Sequence, residues 1–269
     1  MSDEIRNLPR TVLRPVLNRE RSYRLLYVAS VIAGLFAWLI ISRQFPGFIL
    51  APPDKTFARL WELSVSGELL RAVASSLQHM LLGYLIAVFI AMPLGMLMGR
   101  VRIINDILSP VITLIYAVPS LAWAPFIMIL FGLYFEARTV MVVIMCVFDM
   151  LIVMSTGIQS IGLRNSQLAK SFNATRWQII RLILIPESLP FIFTSLRIGM
   201  VRAINGMLTA ELFLATVNLG EIMKQASSRF DSGGVLAVVF VICVMGLISQ
   251  EVLLRIEKHV CHWLPGNKE

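Results

Sequence analysis

Long apolar runs separated by short polar breaks set the pattern of this chain. The runs cover residues 25–41, 75–98, 103–133, 139–156, 186–209 and 235–254. At ~1.5 Å per residue, helices of these lengths match a hydrocarbon layer about 30 Å thick. None of the runs shows the alternation expected of strands in a membrane barrel. The pattern therefore predicts an all-α integral membrane protein with six transmembrane helices and both termini on the cytoplasmic side.

Small and breaking residues refine these helices. Gly83, Ala87, Ala91, Gly95 and Gly99 recur every fourth residue along the second run. Such a stripe lets a neighbouring helix approach closely, which is how helices associate where lipid removes the hydrophobic drive. The third run is interrupted by Pro110, Pro119 and Pro125. Proline removes a backbone hydrogen bond and clashes with the preceding turn, so this span is expected to be kinked or discontinuous. A broken span either lines a cavity or bends for packing, and both readings stand at this point. Between the first two runs, Ala51-Pro52-Pro53-Asp54 leads into Phe57, Leu60, Trp61 and Leu63, the spacing of a short amphipathic helix at the outer face.

Asp149, Arg197, Arg202 and Asn205 stand as polar residues deep inside apolar runs. A central charge costs about 2.5–3.5 kcal/mol on insertion scales, so these groups are expected to face protein or water. Arg202, Asn205 and Thr209, at i, i+3 and i+7, form one stripe, suited either to an anion in transit or to packing between helices. Depth along the helices brings Asp149 within reach of Arg197 and predicts a buried pair. The same aspartate reads alternatively as the coupling carboxylate of an ion-driven carrier.

Composition narrows the functional class. The chain of 269 residues is 57% hydrophobic and 15% charged, with a mean hydropathy of +0.78, too apolar for a soluble domain. Its net charge of +8 would suggest nucleic acid in a soluble protein. Here 15 of the 24 Lys and Arg residues fall in inner segments and 7 in outer ones, the bias that topology alone requires. Six arginines precede residue 25, which favours an uncleaved first helix with a cytoplasmic start over a signal peptide. The three cysteines and three histidines are scattered, without metal-ligand or catalytic spacing, which argues against a membrane enzyme. No Walker-type phosphate loop occurs, so any work from ATP must arrive from another subunit.

A charged inner segment between two apolar runs is residues 164–190, RNSQLAKSFNATRWQIIRLILIPESLP. Leu168, Phe172, Trp177, Ile180 and Leu184 recur at helical spacings, and Asn173-Ala174-Thr175 suits a turn between two helical pieces. The segment resembles the cytoplasmic loop of permease subunits of binding-protein-dependent ABC importers. Gln167, Leu168 and Ala169 stand where that family has Glu-Ala-Ala, Asn173 where it has glycine, and Ile183 with Ile185-Pro186 where it has Ile, any residue, Leu-Pro. Further stretches resemble the nitrate, sulfonate and taurine branch, among them Val118 to Pro125, Ala174 to Ile179, Leu196 to Gly199 and Ala210-Glu211. Asp149 departs from it, since members commonly carry proline there.

The resemblance implies a five-helix permease core at residues 72–256 with one extra N-terminal helix. It divides the chain into a cytoplasmic tail at 1–24, a first helix and outer segment at 25–71, the core with its coupling loop at 164–186, and a tail at 257–269. It further implies contact of Gln167, Ala169, Asn173, Arg176, Trp177 and Pro186 with a cytoplasmic ATPase dimer that binds ATP and Mg. The chain itself would hold no cofactor or metal. A second permease copy, a periplasmic solute-binding protein and membrane lipid complete the partners, in a bacterial inner membrane. The path for a small anionic solute such as a sulfonate, taurine or nitrate would include Pro119, Asp149, Arg197, Arg202, Asn205 and Thr209.

Overall fold

The computed structural model describes residues 10–47, 49–161, 175–214 and 216–261. All regular structure among them is helical. In chain order the helices are α1 (Arg10–Gln44), α2 (Pro53–Val65), α3 (Glu68–Arg100), α4 (Arg102–Ala117), α5 (Ala124–Phe131), α6 (Phe135–Ser160), α7 (Arg176–Ile179), α8 (Ile185–Thr209), α9 (Asn218–Ser228) and α10 (Ser232–Val260). A single 3₁₀ turn, Ser120–Trp123, precedes α5, and wide π turns, Ile180–Leu184 and Ala210–Leu214, flank α8. By length and apolarity, α3, α6, α8 with its outer π turn, and α10 can each cross a membrane. The α4–α5 pair, bent by 89°, counts as a fifth span. The apolar part of α1, Ala29–Gln44, is shorter than these. Helix α1 meets the rest of the chain near its C-terminal end, where Trp38 Nε1 donates to the Ala51 carbonyl at 3.2 Å.

Helix α6 is the centre of the bundle, packed against α3 on one side and α8 on the other. The four-residue stripe on α3 does what its spacing predicts. A Cβ added at Gly83 would lie 2.7 Å from Val142 Cβ and 2.8 Å from the Thr139 carbonyl, and one at Gly95 would lie 2.8 Å from Met154 Cβ. Gly99 sits equally close to Ile158, and Ala87 and Ala91 are completely buried. On the adjoining face of α6, Gly199 of α8 abuts Met150 and Gly206 approaches the Val142 backbone. Long side chains from α6 therefore fill the space that the glycines leave. Several are methionines: Met141, Met150 and Met154 are fully buried, as are Met80 and Met207 on the flanking helices. An unbranched, polarizable side chain fills irregular gaps between helices well.

Proline breaks the third span at one of the three sites available. Pro110 stays inside α4, whereas Val118 adopts an extended backbone (φ −75°, ψ 126°) before Pro119. The residue before proline is pushed out of the helical region by the pyrrolidine ring, which ends α4 there. Pro125 then sits in the first turn of α5, where its missing N–H costs nothing.

The start of the helical segment leading into α8 is capped from within the chain. Thr175 Oγ1 accepts from the Gln178 N–H at 3.3 Å while Gln178 Oε1 accepts from the Thr175 N–H at 2.8 Å, a reciprocal capping box. Of the turn expected at Asn173-Ala174-Thr175, the first two residues lie outside the described part of the chain. Pro186 falls in the first turn of α8 directly after the π turn. Its ring excludes the carbonyl four residues back, and a widened turn is one way for a helix to accommodate that clash.

The α3–α6 seam makes a direct prediction. Gly83→Leu should lower the thermal unfolding temperature in detergent, because overpacking a tight contact costs about 1–3 kcal/mol and one neighbour here is backbone. Gly34→Leu on α1, where an added Cβ meets nothing within 4 Å, should leave it unchanged.

Candidate translocation cleft

The break in the third span opens a cleft of about 240 Å³. The end of α4 contributes Tyr116, the break contributes Pro119 and Ser120, the 3₁₀ turn contributes Trp123, α6 contributes Phe148 and Asp149, and α8 contributes Arg202. A span that stayed helical through Val118 would leave no such recess. Of the two readings of the prolines, the structure shows the cavity.

One ion pair occupies the cleft wall. Arg202 Nε lies 3.0 Å from Asp149 Oδ2, and Arg202 Nη2 donates to Asp149 Oδ1 at 3.1 Å. The Tyr116 hydroxyl donates to the same Oδ1 at 3.2 Å. This two-pronged geometry matches a planar guanidinium to a carboxylate and relieves the cost of placing either charge inside a membrane protein.

The pairing of Asp149 with Arg197 expected from depth does not form. Arg197 instead lies 3.5 Å from Glu257 on α10, and its carbonyl accepts from Gln250 Nε2 at 3.0 Å. Azimuth decides between the two arginines: five residues at ~100° each place them about 140° apart around α8. Arg202 faces α6, and Arg197 faces α10. Arg197 thus ties two helices together and stands outside the cleft. Asn205 is exposed and Thr209 is half-buried, one and two turns along the face that carries Arg202. The predicted stripe therefore exists, with its arginine neutralised by Asp149.

Of the expected ATPase-facing residues, Gln167, Ala169 and Asn173 lie outside the described part of the chain. Arg176 begins α7, Trp177 is 69% exposed beside it, and Pro186 is half-buried in the first turn of α8.

A second polar cluster, where the π turn after α8 meets α9 and α3, was not anticipated. Glu211 is completely buried in the π turn after α8. Its Oε1 accepts from Ser76 Oγ at 2.5 Å and from Asn218 Nδ2 at 3.1 Å, and its Oε2 accepts from the Gly220 N–H at 3.0 Å. His79 Nε2 lies 3.7 Å away. A Cβ on Gly220 would come within 2.6 Å of Glu211 Cβ, so only glycine permits this approach. The carboxylate fastens the π turn, α9 and α3 together. Its signals in the sequence were an acid ending an apolar run and a place in one of the stretches that carry the resemblance, and neither pointed to its partner Ser76, 135 positions away.

Removing this acceptor strands buried donors. Glu211→Leu is expected to destabilise the protein by at least about 2 kcal/mol, since an unsatisfied buried group costs roughly 1–3 kcal/mol. Glu211→Gln, which keeps one carbonyl oxygen, should lose less. Thermal unfolding of both variants in detergent measures the difference, and equal losses would mean that packing rather than hydrogen bonding holds the turn.

With this geometry in hand, likeness to known proteins is informative. Residues 91–260 match the profile of the family described as binding-protein-dependent transport system inner membrane component. The taurine transport system permease protein TauC of Escherichia coli (strain K12) is 27% identical over 233 residues, covering 84% of each chain. The nitrate import permease protein NrtB of Leptolyngbya laminosa is 27% identical over 177 residues, covering 66% of this chain and 62% of the relative. The formylaminopyrimidine transport permease protein ThiX of Halalkalibacterium halodurans is 23% identical over 246 residues, covering 91% and 98%. Among solved structures, an inward-facing form of the MetNI methionine ABC transporter superposes with a TM-score of 0.62 at 19% identity, covering 71% of this chain and 95% of that one. An amino acid ABC transporter with histidines gives 0.60 at 18% identity, covering 74% and 97%. These two structures share the fold. The match over residues 91–260 is decisive: the chain belongs to the inner membrane component family of binding-protein-dependent transport systems, as a permease subunit of an ABC importer and not an enzyme.

Proposed function

We propose that this permease carries a small polar solute through the cleft at the α4–α5 break, receiving it from a periplasmic solute-binding protein. The observation that carries this reading is the recess itself, which places a paired charge, a tyrosine hydroxyl and two further aromatic rings against a proline-broken span. Non-helical backbone at membrane depth is tolerated where it lines a cavity, which fits a passage. The relatives named for taurine, nitrate and formylaminopyrimidine transport support a solute of this size.

In this reading the chain lies in a bacterial inner membrane with six spans, α1 supplying the sixth, and with both termini in the cytoplasm. Two copies form the pathway. A separate ATPase dimer binds ATP and Mg and grips the segment around Trp177, whose exposed indole and the capped turn before it offer a rigid contact. Closure of that dimer would rock the spans between inward-open and outward-open states. An ion-driven carrier with Asp149 as its coupling carboxylate is the weaker alternative, because both carboxylate oxygens are already engaged.

Two variants separate the passage from the coupling contact. Ser120→Phe, on the cleft wall, should abolish ATP-driven uptake while the ATPase subunit still co-purifies from membranes. Trp177→Asp should release the ATPase subunit. Full uptake by Ser120→Phe would refute the cleft as the path, and failure of any ATPase to co-purify with the wild-type chain would refute the assembly.

A further inference from the structure

The cleft wall carries one positive and one negative group, and each is engaged with the other. Asp149 accepts through both oxygens from Arg202 and through Oδ1 from Tyr116. The carboxylate side chain is 14% exposed and the guanidinium side chain 40%, so the aspartate stands behind the arginine. Arg202 has five N–H donors, of which this pairing uses two. It therefore presents free donors to the cleft without presenting net charge.

The rest of the lining reinforces this balance. Tyr116, Trp123 and Phe148 supply aromatic surfaces, and Ser120 is the other polar side chain among the lining residues. An anion entering here gains from Arg202 and loses most of that gain to the carboxylate just behind it. A solute whose own charges sum to zero incurs no such loss. Its acceptor group meets the free guanidinium donors, its apolar part rests on the rings, and in a zwitterion the molecular dipole aligns with that of the ion pair.

We propose that the cleft selects small polar solutes of zero net charge, zwitterions included, over anions of the same size, and that Asp149 sets this preference by neutralising Arg202. The proposal rests on the reading that the cleft is part of the passage.

The test compares two probes of nearly the same shape: taurine, a zwitterion, and ethanesulfonate, a monoanion. The permease, copurified with its ATPase subunit and held in lipid nanodiscs, is titrated with each, following Trp123 fluorescence against a Trp123→Phe blank. Wild type should bind taurine more tightly, and Asp149→Asn should shift the ratio of the two dissociation constants towards ethanesulfonate by about tenfold, within the coupling range of groups in one ion-pair network. Asp149→Glu, which keeps the charge, should retain the wild-type order and controls for damage to folding. An anion preference in wild type, an unchanged ratio in Asp149→Asn, or no binding of either probe overturns the proposal. Absence of a copurifying ATPase would overturn instead the transport reading beneath it.

Discussion

Close approach of helix backbones is the constraint on which this molecule depends. In lipid an apolar side chain gains nothing by leaving its surroundings for another helix, so association rests on contact and on the absence of side chains where backbones must meet. Helix α6 is held this way on two sides, by the glycine and alanine stripe of α3 and by Gly199 and Gly206 of α8. That three-helix core fixes the positions of the two elements that carry chemistry. Asp149 projects from α6 and Arg202 from α8, and their bond lengths follow from how closely the two helices lie.

Polar groups then occur where the packed core ends. The break at Val118-Pro119 places backbone that cannot remain helical beside the Asp149–Arg202 pair, and the two together make a recess. Beyond the end of α8, Glu211 accepts three hydrogen bonds and so binds a π turn, a short helix and the start of α3 into one unit. Both arrangements follow the same rule: a polar group inside the bilayer is partnered, and the partner comes from a distant part of the chain.

Much of this was legible in the sequence, and the rest was not for identifiable reasons. The stripe on α3 was readable because a four-residue period specifies a face without any knowledge of the neighbour. The proline-rich run announced a break, but three prolines offered three sites and only Pro119 terminates its helix. Depth pointed to Arg197 as the partner of Asp149, whereas azimuth, which depends on how α8 is rotated against α6, gave the contact to Arg202 and turned Arg197 towards Glu257. Glu211 showed least of all, since its meaning lies in Ser76, Asn218 and Gly220, which no local pattern connects to it.

The methionines along α6 give this seam a mechanical character. Each flanking helix offers a glycine with no rotamers to change, and facing them are Met150, against Gly199 of α8, and Met154, against Gly95 of α3, whose side chains bend at three bonds. A joint with one smooth face and one pliable face resists being pulled apart, because separation forfeits every contact at once. It yields more readily to sliding, because flexible side chains re-seat along a smooth track. Such a bundle is built for shear, and transmits a push along its helix axes more faithfully than a pull across them.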